Sequence, residues 1–247
     1  MIKKILILSA NPKNTSKLRL DEEVREIQAG LERAKAREQF EIITRWAVRI
    51  EDLYRALLDY QPQIVHFSGH GVGSDGLALE NNSGELQLVS TQSLAGLFEL
   101  FKETIECVFL NACYSETQAE AIHQHINYVV GMSQTINDRA AIDFAKGFYD
   151  ALGAGKSYEF AYKFGCHAIA LQGISELEAP VLKSRESAVS VNSATNSNQE
   201  SNLGNTKERS TQENQQESAL PNINQQAGDN AIQFGHIGQA GNLNFHR

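Results

Sequence analysis

Four short runs, Ile5–Leu8, Ile64–Phe67, Cys107–Leu110 and Tyr128–Met132, are apolar almost throughout, and amphipathic stretches separate them. A strand with apolar side chains on both faces must be covered on both faces, and this is the situation of a parallel sheet flanked by helices. Between the runs, Val24, Ile27, Leu31 and Ala34 recur at helical spacing within 21–35. Further helices are predicted over 51–60 (stopped by Pro62), 91–101, 117–125, 138–152 and 157–171. Phe40–Trp46 reads as another strand. The runs 77–79 and 86–89 flank Asn81-Asn82-Ser83-Gly84 and read as a hairpin. Val181-Leu182, after Pro180, fits a last edge strand. The expected fold is α/β, a mostly parallel sheet built by right-handed crossovers with helices on both faces.

Charge and composition exclude several functions. The chain of 247 residues carries 22 Lys and Arg against 30 Asp and Glu, a formal charge of −8, and has no basic cluster. Nucleic acid is therefore not an expected partner. No stretch reaches the ~18 consecutive apolar residues of a membrane span. The apolar run after Lys3-Lys4 is too short for a signal peptide, so a cytoplasmic location is expected. Cys107, Cys113 and Cys166 are odd in number and form no CxxC pair, which argues against a disulfide framework or a metal site. Gly153-Ala154-Gly155-Lys156-Ser157 imitates the end of a phosphate loop. Asp150 stands where that loop needs glycine, and a helix precedes it where a strand is required, so no nucleotide or other cofactor is expected.

Reactive groups in an open parallel sheet gather beyond the carboxyl ends of its strands. Ile64–Ser68 runs into Gly69-His70-Gly71, and Cys107–Asn111 runs into Ala112-Cys113-Tyr114-Ser115. If the two strands are neighbours, ~4.8 Å apart, an imidazole and a thiol can meet across the gap. The thiolate is the attacking species, and a histidine can take its proton and pass it to a leaving amine. The Gly71 amide, with no side chain beside it, is free to face a developing oxyanion, and the Cys113 amide is the second donor. Cys107 opens a strand and Cys166 lies in a helix, so both read as packing residues, and mid-strand His66 reads as a core histidine. His123 and His125 face different ways on a helix. Arg19, Asp138 and Asp143 are candidates to line a specificity pocket, with nothing to select among them.

The phrases Ile64-Val65-His66-Phe67-Ser68-Gly69-His70-Gly71 and Val108-Phe109-Leu110-Asn111-Ala112-Cys113-Tyr114-Ser115 resemble the caspase-fold cysteine peptidases, the bacterial CHAT-domain branch in particular. The resemblance covers residues 1–183. It implies a caspase-like fold, hydrolysis of a protein or peptide substrate, His70 as base, Cys113 as nucleophile and Gly71 in the oxyanion hole. Metacaspase-type relatives carry an acidic residue just before the nucleophile loop. Here Asn111-Ala112 stands there, so their basic-residue preference does not carry over.

Composition changes near residue 184. Roughly two-thirds of residues 184–230 are Ser, Thr, Asn, Gln or Glu, a composition that cannot offset its ordering entropy. A disordered linker is expected over 184–222. Apolar residues return within 223–247, and 231–245 combines β-formers, amide side chains and glycine without an acidic residue, which suits stacked identical strands. Ile232-Gln233-Phe234-Gly235 resembles the core of RHIM-type and bacterial amyloid signalling motifs. That resemblance implies homotypic assembly through 231–245 and an NLR-like sensor carrying a matching motif. The combined expectation is a cysteine endopeptidase effector, switched on by assembly in a defence or regulated-death pathway. The alternatives are a catalytically inactive adaptor on the same fold, and another Cys-His hydrolase or acyltransferase.

Overall fold

The computed structural model describes residues 2–176 and 178–185. The expectations for the linker and the assembly motif fall, from residue 186 onward, outside the described residues.

Six strands form the main sheet: β1 (Lys3–Ser9), β2 (Phe40–Trp46), β3 (Ile64–Ser68), β7 (Cys107–Asn111), β8 (Tyr128–Met132) and β9 (Pro180–Ser184). Their order is β2-β1-β3-β7-β8-β9, parallel except for β9, which pairs antiparallel with β8. The mostly parallel sheet expected from the apolar runs is therefore present, including the edge strand after Pro180. That strand runs through Ser184, one residue into the segment expected as linker. Among the described residues no helix is long and apolar enough to cross a membrane.

Period-2 alternation divides each buried strand between two cores. Leu6, Leu8, Val65, Phe67, Val108 and Leu110 face α2 (Ile50–Tyr60), α3 (Thr91–Glu99) and α4 (Glu116–His123). Ile5, Ile7, Ile64, Cys107 and Phe109 face α1 (Leu20–Arg33), α5 (Asp138–Gly153) and α6 (Tyr158–Leu171). Helix ends follow local chemistry. Ser90, Asn137 and Ser157 accept hydrogen bonds from Ser93, Ala140 and Phe160 backbone N–H groups at the starts of α3, α5 and α6. At the end of α2, Gln61 takes a left-handed conformation (φ 46°) because Pro62 bars the helical one.

The insertion between β3 and β7 differs from expectation in one respect. The predicted hairpin, β5 (Leu77–Glu80) with β6 (Leu86–Val89), gains a third strand, β4 (His70–Gly71), in the order β4-β5-β6. A two-residue strand has no periodicity to read, so the sequence shows it as loop. Its effect is to fix the His-Gly pair by sheet bonding.

Candidate active site

From β1 the chain crosses to β2 on one side, while β3 lies on the other. The strand order reverses here, and the crevice beyond the carboxyl ends is the expected ligand site of an open α/β sheet. A small cleft, with room of about 40 Å³, occupies it. Its wall comprises the segment after β1 (Leu18–Leu20), the end of β3 (Ser68–His70), the end of β7 (Asn111–Cys113) and the start of α5 (Asp138). Ser68 stands opposite Asn111 in the register, so His70 and Cys113 lie at equivalent positions past adjacent strand ends, and both line the cleft.

Each half of this pair is braced. His70 pairs with Ala78 and Gly71 with Leu77. The Val72 N–H donates to the Gly76 carbonyl at 3.0 Å, which makes Gly71–Leu77 the non-hydrogen-bonded kind of pair and turns the Gly71 N–H away from β5. A Cβ at Gly71 would stand 2.1 Å from the Cys113 carbonyl oxygen, so only glycine permits this approach. Downstream, buried Gln118 donates through Nε2 to the Gly73 carbonyl (2.7 Å) and to Thr91 Oγ1 (2.6 Å), tying this loop to α3 and α4.

On the other side, Tyr114 takes a left-handed conformation, φ 54°. Buried Ser115 fixes the turn. Its hydroxyl donates to the Leu110 carbonyl at 3.1 Å and accepts from the Met132 N–H at 3.0 Å, joining β7 to β8.

His70 Nε2 lies 2.9 Å from the Ser16 carbonyl, an acceptor, so Nε2 carries a proton and Nδ1 is the free nitrogen. Burial pushes the His70 pKa below the ordinary imidazole value, against the opposing pull of the Ser16 carbonyl and the Asp138 charge. The ring is thus neutral at pH 7, as a base must be. Cys113 Sγ donates to the Ile136 carbonyl at 3.7 Å and is not hydrogen-bonded to His70. Cys107 is fully buried and Cys166 partly so, and burial pushes both thiol pKa values up.

Residues 3–162 match the family model described as the CHAT domain. The chain belongs to the CHAT-domain family. It is 31% identical over 174 residues to a "Roc-COR-CHAT protease" from an unknown prokaryotic organism, across 68% of this chain and 16% of that protein. It is 27% identical to a "Probable protease" of Gillisia limnaea, across 70% of this chain and 30% of that one. The chain thus spans less than a third of the length of these relatives. Among solved structures it resembles the Arg specific cysteine proteinase gingipain R, with TM-score 0.54, 12% identity, 72% of this chain and 45% of that one. Caspase-1 from Spodoptera frugiperda aligns with TM-score 0.49, 11% identity, 74% of this chain and 86% of that one. At these identities the structural likeness concerns the fold.

Beneath the cleft of this CHAT domain lies a polar cluster that the sequence reading did not assemble. Glu23 of α1, 4% exposed, accepts from His66 Nε2 (2.9 Å), Asn111 Nδ2 (2.6 Å) and the Ser68 hydroxyl. His66 Nδ1 meets the Tyr149 hydroxyl at 3.1 Å, and its ring stacks on Phe109. His66 is therefore a core histidine with both nitrogens satisfied. A signal for Glu23 existed: it stands four residues before Ile27, in phase with the buried stripe of α1. Of the pocket candidates, Arg19 and Asp138 line the cleft. Asp143 is not among the lining residues and pairs with Arg139 at 2.8 Å.

Proposed function

We propose that this chain is a cysteine endopeptidase in which His70 and Cys113 form the catalytic dyad. The observation that carries the reading is the shared cleft, which an imidazole with a free Nδ1 and a partly exposed thiol both line beyond adjacent parallel strands. In the proposed reaction, substrate displaces the Cys113 contact with Ile136 and the thiol proton passes to His70 Nδ1. The thiolate adds to the peptide carbonyl, and the Gly71 and Cys113 amides receive the oxyanion. Collapse breaks the C–N bond as His70 returns the proton to the leaving amine, leaving a thioester. Water then adds with His70 again as base, releasing the acid and restoring the thiol. The Ser16 carbonyl acts as a positioning group by holding the tautomer.

Residues 1–183 supply the peptidase unit, 184–222 a tether and 223–247 the assembly motif. The tail's amide-rich composition supports the proposal that 231–245 assembles with copies of itself and with a matching motif on an NLR-like sensor. The protein is then a cytoplasmic effector in a defence or regulated-death pathway, where assembly raises the local concentration of peptidase domains.

The thiol's bond to Ile136 favours a second reading, an inactive adaptor on the same fold. Iodoacetamide labelling separates the two. A working dyad alkylates Cys113 far faster than Cys107 or Cys166, and Cys113→Ala abolishes cleavage of a peptide library after forced oligomerisation. Equal sluggishness of all three thiols, with no cleavage, overturns the peptidase in favour of the adaptor.

A further inference from the structure

At one margin of the main sheet, β2 has β1 on one side and, among the described residues, no strand on the other. Edges of this kind are ordinarily blunted by shortness, by proline, by a bulge, or by charges that repel an incoming strand. The first three are missing from β2. It runs for seven residues, Phe40-Glu41-Ile42-Ile43-Thr44-Arg45-Trp46, in unbroken register with β1 from Lys3↔Phe40 to Ser9↔Trp46. The Ser9 carbonyl accepts from the Val48 N–H and the Lys4 carbonyl from the Gln63 N–H, so odd-numbered residues of β1 bond toward β2 and even-numbered ones toward β3. The register Ile7↔Thr44 then turns the backbone groups of Phe40, Ile42, Thr44 and Trp46 to the open side. One of them, the Thr44 carbonyl, is met there by the guanidinium of neighbouring Arg45 at 2.8 Å.

The side chains of β2 suit one partner in particular. Laid antiparallel to itself about Ile43, the strand sets Phe40 opposite Trp46 of a second copy, Glu41 opposite Arg45, Ile42 opposite Thr44, and Ile43 opposite its equivalent. Aromatic pairs and opposite charges are favourable cross-strand combinations. The backbone agrees with this register. Residues 42 and 44, which turn to the open side, become a hydrogen-bonded pair, and residues 41 and 45 become the closer, non-hydrogen-bonded kind. A parallel in-register partner would instead set Glu41 on Glu41 and Arg45 on Arg45. The two charges therefore repel that arrangement and admit the antiparallel one. Trp46, the only tryptophan of the chain, is 50% exposed. Phe40 and Ile42, on the same face of the strand, border an open groove of about 460 Å³ that Leu31 of α1 also walls.

We propose that β2 is a homotypic docking edge, at which a second copy of this chain adds its own β2 antiparallel in the register centred on Ile43, joining two six-stranded sheets into one. The interface is isologous, so each favourable pair occurs twice. Trp46 of each copy covers Phe40 of the other at the rim of the groove. The cleft beyond β3 and β7 lies away from this edge, and β9, after which the chain runs on to residue 186, is the opposite edge. The inference is independent of the peptidase reading.

Charge reversal in the full-length chain tests the register, read by the emission of Trp46 across a dilution series. The sole indole reports on this edge alone, and its emission moves to shorter wavelength as pairing covers it. Glu41→Arg sets arginine against Arg45 twice, and Arg45→Glu sets glutamate against Glu41 twice. Each should raise the midpoint concentration of the shift at least tenfold. An equimolar mixture of the two variants restores both opposite-charge pairs and should regain the wild-type midpoint, which a misfolded variant cannot do. No shift in the wild type up to about 1 mM, an unmoved midpoint in either variant, or a mixture that fails to recover overturns the proposal. Cysteine linkage gives a second reading. Under mild oxidation Ile43→Cys should link to its equivalent across the close pair, a span that a disulfide bridges. Glu41→Cys, about 14 Å from its equivalent in this register, should not. Linkage through Glu41→Cys as readily as through Ile43→Cys would overturn the antiparallel pairing.

Discussion

The two faces of the sheet are built from the same strands and differ in kind. Toward α2, α3 and α4 the interior is apolar, and it encloses a small cavity walled by Leu8, Val65, Phe67, Leu79 and Leu110 among others. Toward α1 and α5 the strand residues turn polar as they approach the cleft: His66, then Ser68 on β3, and Asn111 on β7. One face needs only volume. The other needs every donor matched, so a substitution of similar size should cost different amounts on the two.

The sharpest test uses neighbouring residues. His66→Leu removes a donor from the buried Glu23 carboxylate and an acceptor from Tyr149, and should cost about 3–5 kcal/mol. Phe67→Leu, one residue on and facing the apolar core, should cost about 1 kcal/mol. Urea denaturation of the two variants measures both. Equal costs would show that the faces do not differ in the way their hydrogen bonds imply.

The next effect falls on rate. Gly71→Ala brings a methyl against the Cys113 carbonyl, where 2.1 Å of space exists. The two loops must part, and a displacement near 1 Å in such a site costs about a hundredfold in kcat/KM. Peptide hydrolysis measures this, with circular dichroism as the control for folding. An unchanged rate would mean that the two loops can separate without disturbing the proposed dyad.

Much of this was legible in the sequence. The strands 40–46, 64–68, 107–111 and 128–132 match expectation because apolar runs bounded by helix caps and Pro62 leave little choice of register. The two strand ends were legible for the same reason, since polar residues interrupt apolar runs at one end of the sheet. The pairing of His70-Gly71 with Leu77-Ala78 was not, because two residues carry no period. Nor was the union of Glu23, His66 and Asn111, which are brought together by packing across 43 and 88 positions of chain. The Ser16 carbonyl left no trace at all, since any residue type supplies the same backbone acceptor.

A smaller effect separates the turn from the cleft it supports. Ser115→Ala strands the buried Met132 N–H and the Leu110 carbonyl, which its hydroxyl now joins. The expected loss is about 1–3 kcal/mol of stability, read by urea denaturation. Because the hydroxyl does not line the cleft, activity per folded molecule should change less than in Gly71→Ala. A larger rate loss than stability loss would place Ser115 among the groups that position Cys113.

The mildest change acts through charge alone. Asp138 faces His70 as a carboxylate and raises its pKa, while burial lowers it further than Asp138 lifts it. In Asp138→Asn the lift disappears and burial acts with less opposition, so the folded-state pKa moves down. A base works in its unprotonated form, and activity falls as pH drops through that pKa. The acid limb of the kcat/KM–pH profile should therefore shift to lower pH in the variant, with the alkaline limb little moved. Asp138 also contacts Arg19 at 3.5 Å, so the guanidinium freed by the substitution pushes in the same direction if it stays near the ring. Arg19→Ala combined with Asp138→Asn removes that contribution and leaves the shift due to the carboxylate. A limb that moves upward in either variant would mean that His70 is not the group titrating there.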